Sequence, residues 1–129
     1  MQRTATLTIL AVAAAAAAGA SAHATAGGGG GAAATTLKLK ADADGANRFD
    51  KKRLTAAPGR VTIRLRNPAT AGKPHAVEIE GKGVEKESGV AGPGERVSVS
   101  ARLKRGAYEF YCPVDGHKAA GMKGTLVVG

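Results

Sequence analysis

Residues 107–129, "AYEFYCPVDGHKAAGMKGTLVVG", read as strand, loop, strand. Side chains alternate across a strand, so in "AYEFYC" Cys112 shares a face with Tyr108 and Phe110, while Glu109 and Tyr111 take the other. "GTLVVG" is a short, nearly continuous apolar strand that follows Gly124. Between them lies a loop with the only cysteine of the chain, one of its three histidines and its only methionine apart from the initiator. Four residues separate Cys112 from His117, and four separate His117 from Met122. Taken singly, the three are a small buried hydrophobe, a hydrogen-bonded imidazole and a gap-filling thioether. Taken together, they are three metal-ligand types converging in one loop.

The same period-2 pattern extends upstream. Leu37, Leu39 and Ala41 alternate with Lys38 and Lys40; Val61, Ile63 and Leu65 with Thr62, Arg64 and Arg66; Val97, Val99, Ala101 and Leu103 with Ser98, Ser100 and Arg102. "HAVEIEG", starting at His75, places His75 in phase with Val77 and Ile79 and sends Glu78 and Glu80 toward solvent. Pro58-Gly59, Asn67-Pro68, Gly81 to Gly83, Gly92-Pro93-Gly94 and Gly106 punctuate the segments as turns. Nothing after residue 36 carries a 3.6-residue apolar stripe with caps. Short strands at this spacing predict an all-β sandwich or barrel.

His75 and Cys112, inward-directed on two different strands, can meet at one end of such a sandwich. Thiolate and thioether stabilise Cu(I), while two imidazoles and the thiolate serve Cu(II) in a trigonal arrangement, so the set His75, Cys112, His117 and Met122 suits copper. Zinc would accept the cysteine and the histidines but gains little from a thioether. The methionine tips the balance to copper.

"FYCPVDGHKAAGMKGTLVV", together with the upstream "NPATAGKPHAVEIEG", resembles the blue copper proteins, the cupredoxins of the plastocyanin and azurin type, from about Leu37 to Gly129. The resemblance implies a Greek-key β-sandwich of about seven to eight strands with one type 1 copper at its end. It implies His75 and His117 as imidazole ligands, Cys112 as thiolate and Met122 as the weak axial ligand. Many relatives carry asparagine after the first histidine, tying the two ligand loops together; here the residue is Ala76. The Ala76 and Val114 amides can still donate to the Cys112 sulfur, whereas Pro113 has no N–H. The resemblance also implies electron exchange through the His117 ring edge, in an apolar patch drawn from Pro113, Val114, Ala119 and Ala120. Lys118 and Lys123 nearby predict an acidic docking surface on redox partner proteins.

The remainder of the chain places the domain. "MQRTATLTILAVAAAAAAGASAHATA", residues 1–26, has a basic start at Arg3, an apolar run from Leu7 to Ala18 and two A-x-A patterns, which predicts a secretory signal cleaved after Ala22 or Ala26. A retained anchor is the competing reading, but the run is short of the roughly 20 residues needed to span a bilayer. "GGGGGAAATT", residues 27–36, reads as a flexible linker, leaving 37–129 as one domain. The expected location is therefore exported, periplasmic or at the cell surface. A lone cysteine there must be paired with another chain or held by something, and a metal meets that need.

The chain has 19 basic and 10 acidic residues, a formal charge of +9. Such a field favours acidic partner proteins and an anionic cell surface. Export and the scarcity of aromatics, four in all, argue against nucleic acid. A monomer is expected. Multicopper oxidase and nitrite reductase chemistry needs further histidines, and only His23 is unassigned; a binuclear oxidase centre needs a second cysteine. The reading is therefore a one-electron carrier rather than an enzyme. A carrier that delivers or stores copper is the alternative, disfavoured because such proteins often use several methionines.

Overall fold

The computed structural model describes residues 33–129; the expected leader, residues 1–26, and linker residues 27–32 lie outside the described residues. Eight strands run in the order β1 (Ala33–Lys40), β2 (Arg53–Ala56), β3 (Gly59–Arg66), β4 (Glu78–Gly81), β5 (Val84–Glu87), β6 (Arg96–Leu103), β7 (Gly106–Tyr111) and β8 (Lys123–Val128). They form a three-stranded sheet, β1-β3-β6, and a five-stranded sheet, β2-β8-β7-β4-β5. This is the expected all-β sandwich, and the chain crosses between the sheets five times.

Alternation drives the packing. From the three-stranded sheet, Leu39, Val61, Ile63, Leu65, Val99, Ala101 and Leu103 turn inward; Leu54, Ile79, Tyr108, Phe110, Leu126 and Val128 meet them from the other sheet. Removing these side chains from water is the main stabilising term, at about 1.5–3 kcal/mol for each fully buried large aliphatic or aromatic residue. Cys112 and Met122 belong to the same cluster, so the ligand loop is an extension of the core. Phe110 approaches the backbone of Gly124 so closely that a Cβ there would overlap its ring and lie 2.6 Å from the Lys52 carbonyl oxygen. Glycine at 124 lets β8 start directly beneath the loop.

The structure departs from the alternation pattern in three places. β1 starts at Ala33, so Ala33–Thr36 belong to the domain and not to the linker; they pair in parallel with β3, from Ala33↔Gly59 onward. "AATT" has no hydropathy signal, and backbone pairing to a central strand fixes it. Next, "HAVEIEG" is not one strand. His75 makes an isolated antiparallel bridge with Ala91, and the ladder begins only at Glu78. His75, Ala76 and Val77 are all buried, because the chain dips into the end of the sandwich there. Finally, Glu78 does not face solvent as its phase predicts, being 5% exposed. It sits opposite Tyr111 on β7, in a cleft that loop residue Lys118 also lines.

Candidate metal centre

Each ligand candidate is positioned by its own local device. β7 delivers Cys112, whose N–H donates to the Met122 carbonyl at 3.0 Å. The Met122 N–H donates to the His117 carbonyl at 3.1 Å, and the His117 N–H to the Val114 carbonyl at 3.0 Å. These bonds tie the three residues of the loop to one another through the backbone. Gly116 and Gly121 take the positive φ angles, 78° and 107°, that let the loop turn so tightly.

His75 arrives from the opposite side, locked by the reciprocal pair His75 N–H to Ala91 carbonyl, 3.0 Å, and Ala91 N–H to His75 carbonyl, 2.8 Å. Asn67, fully buried, braces that segment: its Nδ2 donates to the Lys73 carbonyl at 2.8 Å and to the Ala91 carbonyl at 2.9 Å. Ser88 completes the brace, its hydroxyl accepting the Val77 N–H at 2.9 Å.

The result is a triangle of donor atoms. His75 Nδ1 and His117 Nδ1 are 3.2 Å apart; Cys112 Sγ lies 3.4 Å from the His117 nitrogen and 3.9 Å from that of His75. An ion bonded in a plane to two nitrogens and a thiolate, at the bond lengths of about 2.0–2.1 and 2.3 Å usual for zinc, would hold these atoms roughly 3.6–3.8 Å apart. The observed separations bracket that value, so the donor set fits a trigonal metal site. His75, Cys112 and Met122 are buried, and His117 is only half-buried. The Ala76 N–H donates to Cys112 Sγ at 3.5 Å, as expected from the sequence. His75 Nε2 is buried with no hydrogen-bond partner, so this ring is held by packing and by whatever meets Nδ1.

The electrostatics point the same way. Burial, then His117 and Lys73, holds the His75 imidazole down at about 4. Burial and Lys73 also lower His117, against the opposing charge of Asp115. Both rings therefore present neutral lone pairs at physiological pH. Burial pushes the Cys112 thiol up, while the Ala76 and Val114 amides pull it down. A thiol in this setting would lose its proton to solvent as a cation binds, because thiolate, not thiol, is the ligand form.

The sequence carries the same signature over nearly its whole folded length. Residues 35–129 match the family described as copper binding proteins, plastocyanin/azurin family. The chain belongs to this family. As a cupredoxin it binds copper, and His75, Cys112, His117 and Met122 are arranged as a type 1 site. Members of the family are electron carriers.

The fold of this cupredoxin is similar to that of auracyanin B, with a TM-score of 0.65 and 23% identity over 74% of this chain and 88% of that one. Auracyanin A, a "blue" copper protein from Chloroflexus aurantiacus, gives 0.64 and 24% over 75% and 100%. A copper nitrite reductase from Nitrosomonas europaea gives 0.63 and 19%, but the match spans only 41% of that protein. No curated protein sequence matches the chain.

All four residues singled out in the sequence lie at one end of the sandwich. The residues that support them were less visible. Asn67 does carry a signal, since it continues the inward phase of Val61, Ile63 and Leu65 as a polar residue. Lys73, the cation acting on both histidines, and Ser88 carry none. Lys118, one of the two lysines read from the sequence beside the docking patch, is paired with Glu109 at 2.8 Å and lies 3.8 Å from the centre of the Tyr111 ring. Its pairing latches the loop to the outer face of β7.

Proposed function

We propose that this protein is an exported one-electron carrier, holding a single type 1 copper with His75, Cys112, His117 and Met122. The observation that supports it best is the closure of the site: three of the four side chains are buried, and only His117 reaches toward the surface. When bound, copper supplies a one-electron couple between Cu(II) and Cu(I). Cys112 and the two imidazoles, fixed by the backbone bonds described above, would hold the ion in both states, so that little movement of these side chains would be needed. Cys112 and Met122 keep water away by being packed in the core. The His117 edge, flanked by half-buried Pro113 and Val114 and exposed Ala119 and Ala120, is the route to a partner.

With Lys118 engaged by Glu109, the cations left to attract an acidic partner at this end are Lys73 and Lys123. Export rests on the Arg3 start, the Leu7–Ala18 run and the A-x-A patterns of the leader; among the described residues no helix is long and apolar enough to cross a membrane. A buried free thiol suits an oxidising compartment, since Cys112 is out of reach of other thiols. No separate catalytic site is proposed.

The test is repeated reduction and reoxidation of the copper-loaded protein by small redox mediators, followed by metal analysis. Rapid cycling with copper retained is the expected result. Passage of the ion to an apo-acceptor, with slow or incomplete cycling, would replace this reading by copper delivery.

A further inference from the structure

The outer face of the three-stranded sheet takes no part in the copper site. Strand register places its outward positions in four rows: Ala34–Arg60–Arg102, Thr36–Thr62–Ser100, Lys38–Arg64–Ser98 and Lys40–Arg66–Arg96. Seven of these residues are cations, and none is acidic or aromatic. The five arginines and two lysines are all exposed. Neighbouring strands lie about 4.8 Å apart and alternate residues about 6.7 Å apart along a strand, so the charges share a face roughly 10 Å by 20 Å.

Like charges directly opposite across a ladder are destabilising. Here they meet four times, as Arg60↔Arg102, Lys38↔Arg64, Lys40↔Arg66 and Arg66↔Arg96. None of the seven has an ion-pair partner among the described residues. The carboxylates flanking the face are spent elsewhere: Asp50 accepts from the Lys40 N–H and from Lys51, and Glu95 from the Gly92 N–H. Among the described residues the one side-chain bond crossing the face joins the Thr62 and Ser100 hydroxyls at 2.7 Å. Asp50 is the one carboxylate in the cleft that Lys38, Lys40, Arg64, Arg66 and Arg96 line, so the positive charges outnumber it and the repulsion is only partly offset.

The outer face of the five-stranded sheet is mixed in sign. Glu80 on β4, Glu85 and Glu87 on β5 and Glu109 on β7 stand there with the buried Glu78, and the register sets the exposed cations Arg53 and Lys123 in the same rows. A negative plane therefore attracts the wholly cationic face more strongly than the mixed one, which favours one orientation.

We infer that the β1-β3-β6 face docks on a membrane surface rich in anionic phospholipid. Charge complementarity and shape carry the assignment. A protein partner would be met by aromatic and apolar anchors among the arginines; this face has neither, and the one large exposed hydrophobe among the described residues, Val90, lies outside it. A single polyanionic chain calls for a line of cations, whereas these spread across three strands in two directions. Headgroup phosphates in a plane meet such a grid.

The row Lys40–Arg66–Arg96 lies at the ligand end, Arg66 running into the Asn67 brace. With the sheet lying flat, the half-buried His117 points along the membrane and stays open to a partner. Binding would confine the search for that partner to two dimensions.

The test is co-flotation of the copper-loaded protein with vesicles of phosphatidylcholine alone or mixed with phosphatidylglycerol, at physiological salt. Two quadruple variants of equal net charge are compared: Lys40→Gln/Arg64→Gln/Arg66→Gln/Arg96→Gln on the face, and Lys82→Gln/Lys86→Gln/Lys104→Gln/Arg105→Gln off it. An unchanged visible spectrum checks that each variant keeps its fold. Binding only to the anionic vesicles is expected. At about fivefold per basic side chain near an anionic leaflet, the face variant should lose about 100-fold or more in partition, and the off-face variant at least about tenfold less than that. Equal losses in the two variants would overturn the inference in favour of overall charge. Failure of the unmodified protein to float with anionic vesicles would overturn it outright. Capture by soluble long-chain polyphosphate without vesicle binding would do the same and reassign the face to a linear polymer.

Discussion

The two sheets share one construction on the inside and oppose each other on the outside. Inward, both present the aliphatic side chains of an ordinary sandwich core, to which the five-stranded sheet adds Tyr108 and Phe110. Outward, the five-stranded sheet uses its polar side chains locally: Tyr111 donates to Glu80 at 2.8 Å, and Glu109 holds Lys118 of the copper loop. The three-stranded sheet holds cations that bond to nothing across four opposed pairs. The difference teaches that identical alternation can serve two ends. On one sheet the polar phase steadies the metal loop; on the other it is left free for a surface outside the molecule.

The largest expected effect comes from breaking the sheet that carries the ligands. Phe110, fully buried, packs against Phe49 with ring centroids 5.7 Å apart and against Gly124 at the base of the loop. Phe110→Ala should cost about 3–5 kcal/mol in urea unfolding. It should also broaden the copper spectrum, whereas Ile63→Val in the other sheet should cost about 0.5–1.5 kcal/mol and leave the spectrum unchanged.

Copper removal comes next. Binding at 100 to 1,000 times its dissociation constant stabilises by about 2.7–4.1 kcal/mol, so chelation should lower the unfolding midpoint accordingly. Amide exchange should then rise in residues 113–122 and at His75, and hardly at all in β1, β3 and β6. Equal deprotection of the two sheets would erase the contrast drawn above.

Smaller still is the latch. Lys118 and Glu109 are both nearly half exposed, so Lys118→Gln should cost less than about 1 kcal/mol of stability. Amide exchange in the loop should quicken while the core is unaffected. At the bottom of the scale stands Arg96→Thr, which relieves the repulsion opposite Arg66. It should raise stability by about 0.5 kcal/mol or less, and the gain should shrink as salt is added. A loss of stability would mean that the cationic face is held by bonds internal to the domain.

Much of this was legible in the chain itself, for reasons that differ by element. β3, β6 and β7 announce themselves because each has one buried and one exposed face, and the phase of β7 places Cys112 inward. β2 alternates over only four residues, too few to stand out, and β5, "VEKE", is an edge strand with no buried residue and so leaves no pattern. The ligands were visible because the chain has so few cysteines, histidines and methionines. Their supports were harder to see: Ser88 and Lys73 act through a loop whose path only tertiary structure defines. Glu78 misled because its exposure depends on Tyr111 and Lys118, which arrive from elsewhere in the sequence.

The most direct test of the central claim is the spectrum of the Cu(II)-loaded protein, by visible absorption and electron paramagnetic resonance. The geometry of His75, Cys112 and His117, with Met122 beside them, predicts an intense thiolate-to-copper band together with a narrow hyperfine splitting, both lost in Cys112→Ser. Weak bands and a wide splitting, unchanged by that substitution, would contradict the account by placing copper away from the thiolate.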